Sequence, residues 1–156
     1  MTELADYLHN PAMRECNPGI ALDEPGKKPK KTKYYASDGT ELDSKGELDR
    51  YEDLLMFQKC GDIYNLKAHP RYTLQEVPRL RYKPDFVYIV TVEYLWQDYS
   101  SKLLRGEMVI EEIKAVTKGG KLLRAETSLV RMKMLKNKYP RSRCFIGKPG
   151  MWREIK

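Results

Sequence analysis

Residues 84–96 read PDFVYIVTVEYLW, and residues 106–116 read GEMVIEEIKAV. Both runs are rich in β-branched and aromatic residues, which favour strands. The polar segment Gln97–Arg105 between them reads as the connection of an antiparallel hairpin. With its centre at 98–99, residue i faces residue 197 − i, so Asp85 stands opposite Glu112. Side chains alternate along a strand. Asp85, Val87, Ile89 and Thr91 therefore share a face, as do Met108, Ile110, Glu112 and Lys114. Opposed residues bring their Cβ atoms to roughly 4.5–5.5 Å. Two carboxylates at that distance repel unless a proton or cation lies between them. Oxygen donors of this kind suit Mg²⁺ or Mn²⁺.

The preceding sequence supplies a third acid. Ser44-Lys45-Gly46-Glu47 is a capping-box pattern, and helix-forming sequence follows to Lys59, with Gly61 as a natural stop. Ser37-Asp38-Gly39 signals a turn before it. Glu47, Tyr51, Leu54, Leu55 and Gln58 lie on one helical stripe, with Leu48 beside it. A glutamate on a packing stripe is costly unless it reaches a metal, a partner or water. Glu47 is also the residue that would cap the helix, and spacing alone weighs the two roles equally. Short strands are expected near Ile63–Leu66 and Arg71–Val77. His69, before a proline, reads as structural. A helix with a basic face is expected over Ala125–Tyr139, ended by Pro140, and a last strand over 143–147. This order predicts one α/β domain with a mixed sheet over residues 34–156. Residues 1–33, with Pro11, Pro18, Pro25 and Pro29, read as an arm or linker.

Composition narrows the function. The chain has 156 residues, 41% hydrophobic and 33% charged, which fits one modest core. No run approaches the length of apolar sequence a membrane helix needs, and MTELADYLHNPAM lacks the pattern of a secretory signal. Cys16, Cys60 and Cys144 are too far apart for a zinc module, so a reduced, cytoplasmic protein is expected. The net charge of +7 is unevenly spread: Lys118–Lys156 holds twelve Lys or Arg against two Glu. Such a cationic third attracts phosphates.

Taken together, the ordered blocks resemble the PD-(D/E)XK nuclease superfamily, and more closely a family of small bacteriophage nucleases. The blocks are Asp38-Gly39-Thr40-Glu41-Leu42-Asp43-Ser44-Lys45-Gly46-Glu47, His69-Pro70-Arg71-Tyr72, Tyr82-Lys83-Pro84-Asp85-Phe86-Val87-Tyr88 and Val109-Ile110-Glu111-Glu112-Ile113-Lys114. The order is similar to that in phage endonuclease I-type Holliday junction resolvases. Glu112 stands where the phage family commonly has aspartate, and Ala115 where it often has glycine.

The resemblance implies a restriction-endonuclease-like core of helix, three-stranded meander, helix and strand, and metal-dependent hydrolysis of DNA, with branched DNA as substrate. It implies Asp85, Glu112 and the Ile113 carbonyl as Mg²⁺ ligands, with Glu47 on a second ion directly or through water, and Mn²⁺ as a substitute. Lys114 would position water or steady the transition state. Arg131, Lys133 and Lys136 on the second helix, with Lys118 and Lys121 before it, would hold DNA phosphates. Cutting a two-fold junction needs two sites, so a homodimer in the host cytoplasm of a phage is expected. The alternatives are a non-catalytic DNA-binding or packaging accessory protein on the same fold, and a nicking or restriction-like nuclease without junction preference.

Overall fold

The computed structural model describes residues 32–92 and 102–156. Residues 1–31 of the expected N-terminal arm, most of the Gln97–Arg105 connection and Trp96 lie outside the described residues. The first elements are two short paired strands, β1 (Tyr34–Tyr35) and β2 (Glu41–Leu42), on either side of the expected turn. Helix α1 (Lys45–Cys60) starts at Ser44, whose hydroxyl accepts from the Glu47 N–H, and ends at Gly61 in a left-handed conformation (φ +82°). Both ends agree with the capping-box and glycine-stop reading, because both signals are local chemistry.

Four further strands follow: β3 (Ile63–Ala68), β4 (Tyr72–Gln75), β5 (Leu80–Tyr82) and β6 (Phe86–Val90). Then come β7 (Met108–Ile113), α2 (Glu126–Lys138), β8 (Arg143–Lys148) and β9 (Met151–Ile155). The main sheet has five strands in the order β3-β6-β7-β8-β9. β3, β6 and β7 form an antiparallel meander, α2 crosses over, β8 runs parallel to β7, and β9 returns antiparallel. The fold is mixed α/β, as the order of elements predicts.

The β6–β7 register is Phe86↔Glu111, Val87↔Ile110, Tyr88↔Val109 and Ile89↔Met108. Continued by one residue, it sets Asp85 across from Glu112, as the hairpin reading requires. The two faces of the sheet differ in what covers them. Phe86, Tyr88, Val90, Val109 and Phe145 pack with Tyr51, Leu54 and Leu55 of α1. Val87, Ile110, Cys144 and Ile146 pack with Met132 and Leu135 of α2.

Two features depart from the expectation. The strand expected near Arg71–Val77 is present as β4 and stops at Gln75, but after a turn at Glu76–Arg79 the chain doubles back as an unexpected strand, β5, so that the two form a separate hairpin. Pro78, which cannot donate to a ladder, sits in that turn. The second is β9, too short and polar to stand out, which follows the Pro149-Gly150 turn. Gly147 sits where the β8–β9 pair closes, at φ +142°, and a Cβ there would meet the Met151 carbonyl oxygen at 2.4 Å. Only glycine fits that backbone.

α1 is tied to the sheet by a buried ion pair. Arg50 donates to Glu111 through Nε (2.9 Å) and Nη2 (2.7 Å), and both side chains are fully buried. The Tyr88 hydroxyl donates to the same carboxylate at 2.6 Å. Removing one partner of such a pair strands a buried charge. Glu111→Ala is expected to destabilise the protein by about 3–5 kcal/mol, read as a shift in the denaturant midpoint; a change below about 1 kcal/mol would show that the pair does not hold the helix.

Candidate active site

The site forms at the end of the meander where Asp85 precedes β6 and Glu112 and Lys114 finish β7. Pro84 is buried and turns the chain into β6. The Asp85 carboxylate accepts the Ile113 N–H at 2.6 Å, which ties the two strand ends together. Glu112 is buried, and its oxygens are engaged on both sides. Tyr82 donates to one at 2.7 Å, and Ser128 donates to the other at 2.9 Å. The Lys114 ammonium lies 2.8 Å from the same oxygen that Ser128 reaches.

Glu47 reaches this end of the sheet from the first turn of α1. Its carboxylate accepts the Asp43 N–H at 3.1 Å and the Ser44 hydroxyl at 2.9 Å, so it does cap the helix. It also lies 3.1 Å from His69 Nε2, which is 3.9 Å from Asp85. The two roles weighed for Glu47 are thus compatible: the capping contacts hold the carboxylate facing the other acids. His69 bridges them, with its amide donating to the Asp85 carbonyl at 2.8 Å. Its backbone is left-handed (φ +52°) immediately before Pro70, a costly conformation for such a residue. The sequence reading of His69 as merely structural misses its place between the acids. Asp43, Glu47 and His69 place one ligand atom each within 4.8 Å of one another, a group that can hold a metal ion.

The electrostatics follow from crowding. Asp85 has its carboxyl pushed up to about 8, by burial first and then by the Glu112 and Glu47 charges; the Ile113 amide and Lys114 pull the other way. Burial would raise Glu47 too, but the His69 ring, the Asp43 amide and the Ser44 hydroxyl outweigh it and hold that carboxyl below its ordinary value. Burial, reinforced by Glu112, drives the Tyr82 phenol far above its usual range, so it remains a donor. Asp43 is held low by Lys33, with smaller help from His69 and Lys83.

Of the basic residues expected to hold DNA, Arg131 lies beside this centre. It lines a pocket of about 370 Å³ together with Glu112, Ser128, Tyr82, Arg71, Arg81 and Lys83. Lys133 lies along a different cleft with Leu129, Arg153 and Lys156, because two residues on from Arg131 a helix has turned by more than half a circle. Lys136 is spent on the carbonyls of Pro140 and Ser142 below α2. Lys118 and Lys121 are exposed on the 117–121 turn. Trp152, a residue able to stack on a base, instead lies under the Arg50 guanidinium, 5.4 Å from it.

The chain belongs to the family described as "Protein of unknown function (DUF1064)", whose model matches residues 27–148. No curated protein and no solved structure matches it. Among the described residues, no helix is long and apolar enough to cross a membrane.

The Asp85 shift has a consequence for stability. Folded, the carboxyl keeps its proton to about pH 8; its ordinary value is 3.8. Between these the folded state binds more protons, so this group makes stability fall as pH rises from about 4 to 8. Asp85→Asn is expected to flatten that fall and to raise stability at pH 8 by on the order of a few kcal/mol. Added Mg²⁺ should raise the melting temperature of the native protein at pH 8, and that of the variant much less. Parallel pH profiles of the two proteins would contradict the crowding described.

Proposed function

We propose that the protein is a metal-dependent DNA endonuclease of the PD-(D/E)XK kind, which hydrolyses phosphodiester bonds in branched DNA. The observation that carries the reading is the convergence of Asp85, Glu112 and Glu47 at one end of a mixed sheet, with Lys114 2.8 Å from Glu112. The element order of helix, meander, helix and parallel strand is the order that the superfamily resemblance implies.

The residues present suit a hard divalent ion. They offer carboxylate oxygens, and a cation would relieve the repulsion that raises Asp85. Asp85 and Glu112 would hold Mg²⁺, or Mn²⁺ in its place, with the Ile113 carbonyl and Glu47 completing the donors. Bound there, the ion would lower the pKa of a water and offset charge on the phosphate. The protein's own groups do the rest. Tyr82 and Ser128 fix the Glu112 carboxylate from two sides. Lys114, a compact cation on a long stem, steadies the negative charge that builds on the phosphate. His69 orients Glu47 towards the centre. Arg131 holds the DNA backbone beside Glu112. Symmetric cutting of a four-way junction calls for two such sites, and so for a homodimer.

The test is cleavage of a synthetic four-way junction and of linear duplex with the same arms, with and without Mg²⁺ or Mn²⁺. The junction should be cut only with metal, and faster than the duplex. Asp85→Ala should reduce cutting to background while junction binding in chelator stays at the native level. A native protein that binds but never cuts would make this an accessory DNA-binding protein. Equal rates on junction and duplex would remove the branched-DNA preference.

A further inference from the structure

The nuclease reading leaves unexplained the β4–β5 hairpin, which is inserted between two strands of the main sheet. It is docked on α2. Lys138 donates to the Thr73 carbonyl at 2.6 Å, and the Tyr72 and Tyr139 rings meet edge to face at 5.6 Å. Its second strand has two tasks. Tyr82 points inward and holds Glu112, while Arg81 and Lys83 on either side are exposed. Tyr72 pairs with Tyr82, so one further step of the ladder sets Arg71 across from Lys83. Like charges facing each other across a strand pair are destabilising.

Arg71, Arg81 and Lys83 meet Arg131 of α2 in the pocket of about 370 Å³ that opens onto Glu112. Four cations therefore surround one carboxylate, and that carboxylate already has Lys114 against it. Among the described residues, none of the four has a carboxylate within ion-pair distance. Lys83 also reaches electrostatically to Asp43, beside Glu47 and His69. The concentration of positive charge is thus continuous with the acidic centre.

We propose that this pocket is a phosphate-binding subsite, which takes a backbone phosphodiester of the bound DNA next to the one being cut. Arg71 and Arg81 on the hairpin and Arg131 on α2 close on the phosphate from two sides, and Lys83 lies between it and the acids. Guanidinium groups suit this task because their paired N–H groups match two phosphate oxygens. The hairpin thereby sets which phosphate comes to rest over Glu112. The proposal rests on DNA being the ligand of the neighbouring centre, but it does not require that the DNA be cut.

The test measures binding of fluorescent duplex and junction DNA by anisotropy, in chelator, over a series of salt concentrations. Each DNA phosphate that the protein ceases to neutralise lowers the slope of log K against log salt by roughly 0.9. The double variant Arg71→Gln/Arg81→Gln removes two of the guanidinium groups on one phosphate, so it should lower the slope by roughly 0.9 and weaken binding about tenfold. Arg71→Lys/Arg81→Lys should restore most of the slope. Arg79→Gln removes one charge from the same hairpin, at an exposed position that does not line the pocket, and should leave the slope near native. An unchanged slope in the double variant would overturn the subsite, as would an equal loss per charge in Arg79→Gln. Because chelator removes cutting from this assay, a native protein that fails to cleave with Mg²⁺ counts against the nuclease and leaves the subsite result standing.

Discussion

The bidentate pair between Arg50 and Glu111 sets the geometry on which the rest depends. Arg50 is one turn after Glu47 on α1, and Glu111 is the residue before Glu112 on β7. Fixing the two inner residues fixes how far the helix can slide along the sheet, and so where Glu47 sits relative to Asp85 and Glu112. Tyr88 adds a tie from β6, and Trp152 covers the guanidinium from β9. Two charges in an apolar layer contribute little net stability against well-packed hydrophobic side chains. Their contribution here is position: a buried fork admits one register where a greasy contact would tolerate several.

The alternation of a β-strand then divides labour between adjacent glutamates. Glu111 faces α1 and is neutralised by Arg50. Glu112 faces α2 and is held by Tyr82, Ser128 and Lys114. One is a strut and the other is left for chemistry. Burial first, and then the charges of Glu112 and Glu47, push the Asp85 carboxyl upward, so the acids around the centre do not sit together at no cost. The sheet, the ion pair and the Ile113 amide together hold an arrangement that the acids alone would disperse.

Much of this is legible in the amino-acid order. The ends of α1 follow from Ser44, Glu47 and Gly61, whose effects act within one turn of chain. The β6–β7 register follows from two uninterrupted strand-like runs and the midpoint between them. What the order of residues hides depends on tertiary packing. The β4–β5 hairpin has strands of only four and three residues, too short for a clear alternation. Its cations are masked by the larger basic excess of the C-terminal third, although Arg79, Arg81 and Lys83 do alternate. His69 and Asp43 are remote from Asp85 in sequence, and only the left-handed turn at His69 brings its ring between the acids. Helix phase separates Lys133 and Lys136 from the expected DNA side: neither shares the face of Ser128 and Arg131.

The strand order also bears on how the chain reaches this state. β7 lies at the centre of the finished sheet, yet one of its two neighbours, β8, begins only at Arg143, after the whole of α2. Until that stretch has left the ribosome, Val109 and Ile110 sit on a raw border with unmet amides and carbonyls. Such a border invites pairing with any other extended chain. The growing polypeptide is therefore most prone to clump in the interval between making β7 and making β8.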